Sequence, residues 1–416
     1  MVARSFSRKH RVYGGVDFAP RQIQVAAFYA RRNGISQGAE LQRQALAALD
    51  IASDPVDAAP ALRNPFARSR TPATDQAVIA HASGRQVALA LNYLSPSVRK
   101  AARIGYCAWE LGVPPRSWVG FDAPLHEVWT PSTFSAQALR GICRAPVRVV
   151  RHVCRPPPAV QPGTIRRLLN LEDSAFVALV LADARSSFAR KNPLGAVNAF
   201  SRAFAGARDV ALVVKISAGG REPGLVEALK RAASGLRVVF IEQHLDEADK
   251  WRLFRDADVF LSLHRAEGFG IPMLEAMSIG KPVIATEWSG NLDFMDAQTA
   301  VLVPYTLVDV EDGQGVYSGG QWAEPDIDFA ADALRKLKGE PDFARRLGAA
   351  AQAQTAFPLQ LDEFASQLPP WALELRQSRT PAPPPSDLAF LDRSWDARPT
   401  GPFRRRAAGR RANPRG

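Results

Sequence analysis

The chain has 416 residues, 46% of them apolar, enough to bury the cores of two domains, yet no run approaches the roughly 20 apolar residues of a membrane-crossing helix. The net charge of +12 would suggest nucleic acid until it is located: Arg4, Arg8, Lys9 and Arg11 give residues 1–11 a charge of +4, and ten arginines against Asp387, Asp392 and Asp396 give residues 376–416 a charge of +7. The body between is nearly neutral, so the basic ends are free to meet an acidic surface and no specific nucleic-acid partner is expected.

Cys107, Cys143 and Cys154 are odd in number and lack metal spacing, which predicts buried free thiols. The N-terminus is basic but has no apolar core behind it, so it does not read as a secretory signal and the expected compartment is the cytoplasm.

In chain order, residues 1–20 lack periodicity and read as a loosely attached or disordered basic arm. A first strand is expected over 25–30, followed by the polar loop RRNGISQG and a helix over 39–49. Residues 52–75, rich in Pro, Ala, Asp and Arg, read as a long surface connection. Strand 77–82, helix 85–94, strand 103–109 ended by Glu110, helix 133–141 and strand 147–153 complete a first domain over 21–155. The stiff segment 156–162 reads as a linker.

From 163 to 355 the alternation becomes regular: strands at 176–181, 210–216, 238–241, 259–263 and 282–286, with helices at 193–205, 223–233, 247–254 and 271–277. Such alternation predicts a doubly wound parallel sheet whose ligand lies across the strand C-termini. Helices are expected over 326–337 and 341–353, and the last helical segment at 356–375 is broken at Pro369-Pro370. The tail 376–416, rich in Pro, Arg and Ala, is read as disordered.

The stretch at 259–292, VFLSLHRAEGFGIPMLEAMSIGKPVIATEWSGNL, carries the most chemistry. Gly268, Phe269 and Gly270 form a flexible loop before a helix with Pro272 in its first turn, a place where backbone N–H groups meet an anion. Glu267 and Glu275 flank that place, and carboxylates beside a phosphate site are suited to ribose or sugar hydroxyls. The plainer reading is a capped helix with one solvated glutamate. Asp256-Ala257-Asp258 has a metal-site pattern, but it lies where a helix ends and a strand begins, so turn and cap chemistry is expected, with no bound metal.

Two glutamates seven residues apart across GFG, then a second strand and the turn Ser289-Gly290-Asn291, closely resemble the signature of the family-4 retaining glycosyltransferases of the GT-B fold, glycosyl transferases group 1. RIGYCAWEL at 103–111 and HEVWTPSTFSAQAL at 126–139 resemble the first half of a bacterial branch. The resemblance spans about residues 100–305. It implies an α/β GT-B architecture of two Rossmann-like domains facing a cleft, with a C-terminal helix crossing back onto the first.

It also implies transfer of a hexose from a nucleotide-diphosphate donor, UDP- or GDP-linked, to a hydroxyl of a glycan, lipid or polysaccharide precursor, with retention and without a resident cofactor. Arg185 and Lys191 have the spacing of the basic pair that contacts the diphosphate. The donor set is Gly268, Phe269, Gly270, Glu275, Ser289, Gly290 and Asn291, with Glu267 on the sugar and Gln243 in the region that reads the base. Glu110 is the candidate nearest the reacting sugar, and His81 is its rival. Gly34 and Ser36 occupy the place of an acceptor-side loop, although an ordinary strand-to-helix turn fits them equally. Other readings are an inactive GT-B scaffold for an acidic partner and a nucleotide-sugar epimerase-like enzyme. Peripheral contact with the inner face of a membrane through the basic ends is a further expectation.

Overall fold

A computed structural model describes residues 22–377, apart from Arg32, 70–75, Pro96 and 155–156, together with the short antiparallel strands Val12–Tyr13 and Val16–Asp17. The expectations for the rest of the N-terminal arm and for the Pro/Arg-rich tail lie outside the described residues.

Two six-stranded parallel sheets make the body. The first runs, in spatial order, Ser53–Asp57, Gln22–Ala27, Gln76–His81, Ala102–Tyr106, Glu127–Thr130 and Val147–Val149. The second runs Val238–Ile241, Val210–Ser217, Phe176–Asp183, Val259–Ser262, Val283–Thr286 and Val301–Val303. Both strand orders reverse once, and in doubly wound sheets the ligand crevice opens at that reversal, beyond the strand C-termini. In the second sheet the reversal lies between Phe176–Asp183 and Val259–Ser262, whose exits lead to the basic turn at 184–191 and to the GFG turn.

Most helices and strands fall close to where periodicity places them, although the strand expected over 25–30 is Gln22–Ala27, the one expected over 147–153 is only Val147–Val149, and further strands are not anticipated. Ser53–Asp57 is a strand inside the expected surface connection, paired in register with Gln22–Ala27. Pro55 and two aspartates conceal it in the sequence, and proline is tolerated there because this is an edge strand. Glu127–Thr130 and Val301–Val303 are further strands too short to show periodicity. Tyr305–Asp309 and Gln321–Pro325 form an antiparallel pair in a stretch to which the sequence analysis assigns no element.

The helix Phe357–Gln367 lies against the first sheet's core, where Phe364, Leu368 and Trp371 pack with Ile23, Leu46 and Trp129. Its glutamines hold the end of the first domain: Gln367 Oε1 accepts from the Arg151 amide at 2.8 Å and Gln360 Oε1 from the Cys154 amide at 2.8 Å. The C-terminal segment therefore crosses back as the resemblance implies.

Asp256 and Asp258 are occupied by the start of the second domain. Asp256 is buried and accepts from the amides of Gly163 at 2.6 Å and Ile165 at 2.7 Å, while Asp258 accepts from Arg166 and from the Val177 amide, each at 2.7 Å. Asp256 thus caps the helix Thr164–Leu168 from a distant part of the chain, while Asp258 holds the start of the strand Phe176–Asp183. Asp256→Ala should destabilise the protein by about 2 kcal/mol in urea unfolding, because it strands buried amides. An unchanged midpoint would refute the capping role.

Candidate active site

The GFG turn leaves the strand Val259–Ser262 and enters the helix Ile271–Ser278 at Gly270, whose φ of 101° is open to glycine. Among the described residues the amides of Gly268, Phe269 and Gly270 donate to no protein acceptor. Close packing holds the turn. The Ser132 hydroxyl, from the first domain, donates to the Gly268 carbonyl at 2.6 Å, and a Cβ on Gly268 would lie 3.2 Å from that of Ala108. On the other side Gly290 sits so close that a Cβ would run into the Gly268 carbonyl.

Glu267 is the electrostatic centre. It is buried and bridges two cations, Lys191 to Oε1 and Arg190 to Oε2 at 3.2 Å. Burial alone would raise its carboxyl, but Lys191 and Arg190 outweigh that and bring it to about 2. Its backbone is clamped too: its amide donates to Ser289 Oγ at 2.8 Å and its carbonyl accepts from the Gly290 amide at 3.0 Å. Ser289 has a φ of 80°, a strained conformation for a residue with a Cβ, and it persists where it holds Glu267.

Arg190 escapes the sequence reading, which pairs Lys191 with Arg185. The structure separates the three cations by exposure, 4% for Arg190, 19% for Lys191 and 28% for Arg185. Arg190 is spent inside the protein, donating to the Ala266 carbonyl at 2.6 Å and to Ser186 Oγ at 2.7 Å. Arg185 does not meet Glu267; it forks onto Asp183 and donates to the Arg31 carbonyl of the first domain at 3.0 Å. Asn192 ends this turn in a left-handed conformation and caps the helix Pro193–Phe204. Lys215, hidden inside a strand, is a further cation here; burial pushes it down to about 8 against the pull of Asp183.

Glu275 lies one turn into the glycine-turn helix, buried, with Lys250 Nζ at 2.7 Å and Gln37 Nε2 at 3.1 Å on one oxygen. Gln37 belongs to the first domain's helix Gly34–Ala48, so this contact spans the cleft. Burial raises the Glu275 carboxyl and Lys250 pulls it back.

Several expected residues take other positions. Gly34 and Ser36 do not form a loop: they lie in the first turn of Gly34–Ala48, and the Ser36 hydroxyl is used in a capping box with Asn33. A polar stretch with two glycines gave no periodicity, but the cap at Asn33 starts the helix five residues early. His81 is a core residue: its Nε2 is 2.6 Å from Gln42 Oε1, its ring stacks on Tyr106 at 4.2 Å, and burial pushes it well below the usual histidine range. Asn291 is fully buried and braces the turn, donating to the Thr286 carbonyl at 3.1 Å with His264 Nε2 3.1 Å from its oxygen. Gln243 is exposed just past the strand Val238–Ile241. Glu110 lies four residues beyond its strand and beside the glycine turn, where a Cβ on Gly268 would be 3.7 Å from its Cγ.

Two doubly wound sheets with facing switch points and an acid–base cluster at a glycine turn define a GT-B fold. Solved structures agree. HepE of Anabaena, in complex with UDP and glucose, superposes with a TM-score of 0.59 at 15% identity, covering 83% of this chain and 97% of that one. Sucrose-phosphate synthase of Thermosynechococcus elongatus superposes with a TM-score of 0.60 at 16% identity over the same shares. In sequence, residues 182–312 match the family model described as Glycosyl transferases group 1.

A 66-residue stretch, 16% of this chain, is 39% identical to the lipopolysaccharide core biosynthesis mannosyltransferase LpsB of Rhizobium meliloti. The matched stretches span only 13% and 18% of the curated relatives. Among the described residues no helix is long and apolar enough to cross a membrane.

Proposed function

We propose that the protein is a retaining glycosyltransferase that moves a hexose from a UDP- or GDP-linked donor to a hydroxyl of a glycan or lipid-linked acceptor. The observation that carries this reading is Glu267, held ionised between Lys191 and Arg190 beside unpaired amides of the GFG turn. An ionised carboxylate accepts from sugar hydroxyls, and free amides with exposed cations suit a diphosphate.

Exposure supports a division of labour among the cations. Lys191 and Arg185 are the ones a ligand reaches, so they would neutralise the diphosphate, while buried Arg190 keeps Glu267 in place. Glu275 would accept from ribose hydroxyls in exchange for Gln37, and Gln243 would meet the base. The acceptor oxygen forms its bond to the anomeric carbon on the face from which the diphosphate leaves, the bond to the diphosphate oxygen breaks, and the acceptor proton passes to the leaving phosphate. Fixed cations serve this step without reorganising, and no resident cofactor or metal is invoked. The enzyme would work in the cytoplasm, with its basic ends resting on an acidic membrane face.

UDP and GDP at about 100 times their dissociation constants should stabilise the protein by roughly 2.7 kcal/mol, read as a thermal shift. Glu275→Ala should weaken nucleotide binding about tenfold, as expected for a lost hydrogen bond to a charged group. Affinity equal to wild type would remove Glu275 from the ribose, and no response to either nucleotide would remove the transferase reading.

A further inference from the structure

The helix Thr133–Arg140 of the first domain begins against the glycine turn of the second. Its cap residue, Ser132, donates to the Gly268 carbonyl at 2.6 Å and accepts from the Ser135 amide at 3.1 Å. The next residue reaches the turn packed on Gly268: the Thr133 amide and hydroxyl both donate to Asp293 Oδ2, at 2.9 and 3.1 Å. One residue further, the Phe134 ring meets Trp288 edge-on, with centroids 5.4 Å apart. Ser132, Thr133 and Phe134 are consecutive, so a single helix start grips three points of the second domain.

Asp293 is where this contact converges. It ends the 3-10 turn Gly290–Asp293, whose first residue packs on the Gly268 carbonyl and whose second, Asn291, braces the site from inside. Besides Thr133, Arg151 donates through Nε to the same oxygen at 3.1 Å. Arg151 follows the strand Val147–Val149 and is itself anchored: its amide donates to Gln367 Oε1 at 2.8 Å, and its guanidinium pairs with Glu363. The Asp293 side chain is 8% exposed, so its ion pair is screened far less than one at the surface. Donors from two separate stretches of the first domain thus hold one carboxylate oxygen of the second.

We propose that Thr133 and Arg151 are positioning residues for the donor: through Asp293 they fix the turn Gly290–Asp293, and with it the amides of the GFG turn. The donor site then has its binding geometry only while the first domain is docked on it, and neither residue needs to touch the ligand. When docking weakens, the apparent dissociation constant rises by the inverse of the docked fraction, and a saturating ligand restores the docked state. The proposal rests on the glycosyl-transfer reading above.

The test uses the full chain, with UDP and GDP for binding and nucleotide release from UDP-glucose or GDP-mannose for turnover. Arg151→Met should raise the dissociation constant of the nucleotide that binds about tenfold, the scale of a lost bond to a charged group. It should raise the donor KM by a similar factor and leave turnover at saturating donor within about threefold of wild type. Thr133→Val keeps the amide bond, loses only the hydroxyl, and should weaken binding about threefold. Glu363→Gln removes the other ion pair of Arg151 and leaves Asp293 in place, so its affinity should stay within about twofold of wild type. In an Asp293→Ala background Arg151→Met should cause no further loss. Wild-type affinity and KM in Arg151→Met, even with a lowered urea midpoint, would make the residue merely structural and overturn the proposal. An equal loss in Glu363→Gln, or losses that multiply in the double variant, would overturn the part played by Asp293. A wild type that binds neither nucleotide and releases none from either donor overturns the transfer reading, and this proposal falls with it.

Discussion

Glu267→Gln is expected to lower transfer by roughly a hundred- to a thousand-fold, the scale of losing one preorganised electrostatic element of an active site, and to destabilise the protein by about 3 kcal/mol. The substitution keeps the volume but removes the charge that Lys191 and Arg190 share, leaving the buried Arg190 without its carboxylate. The pH dependence separates this from a packing defect. The folded-state carboxyl is depressed from 4.5 to about 2, so its stabilisation is present above about 4.5 and is lost as pH falls through about 2. That interval corresponds to ~3 kcal/mol. Urea midpoints measured from pH 5 down to pH 2 should show Glu267→Gln losing less stability than wild type across this interval. Parallel curves would mean that the cations do not hold Glu267 ionised.

Gly290→Ala should be nearly as damaging. A Cβ at this position meets the Gly268 carbonyl and lies 2.8 Å from the Phe269 amide nitrogen. Both obstacles are backbone, so no side chain can swing aside, and the glycine turn itself must move. Overpacking of this kind destabilises by about 1–3 kcal/mol. Displacement of about 1 Å in a reacting geometry costs on the order of a hundred-fold in rate. Gly220, where a Cβ meets nothing within 4 Å, is the control. Gly220→Ala should match wild type in urea unfolding and nucleotide release, whereas Gly290→Ala should fail in both. Wild-type nucleotide affinity in Gly290→Ala would show that the turn does not depend on this contact.

Local pattern reveals much of the scaffold. The apolar runs at 176–183, 210–217 and 259–262 are buried on both faces of a parallel sheet, so each announces itself without reference to its partners. Ser53–Asp57 does not, because an edge strand needs little apolar surface and tolerates Pro55. The helix Gly34–Ala48 begins ahead of its expected start because its first turn is fixed by hydrogen bonds at Asn33 rather than by hydrophobic period.

By itself the sequence determined the doubly wound alternation, the glycine turn between Glu267 and Glu275, and the near-neutral body, because each depends on residues close together in the chain. Only the tertiary structure decided which cation faces which carboxylate. Arg190 and Lys191 are adjacent in sequence, yet one is enclosed and the other is partly exposed, both on Glu267, while Arg185 pairs with Asp183. It also placed Tyr317 against Trp109 and Ser132 on the Gly268 carbonyl, contacts more than a hundred residues apart. Such pairings are absent from local periodicity because burial and interdomain packing select them, and both exist only once the two sheets have closed on one another.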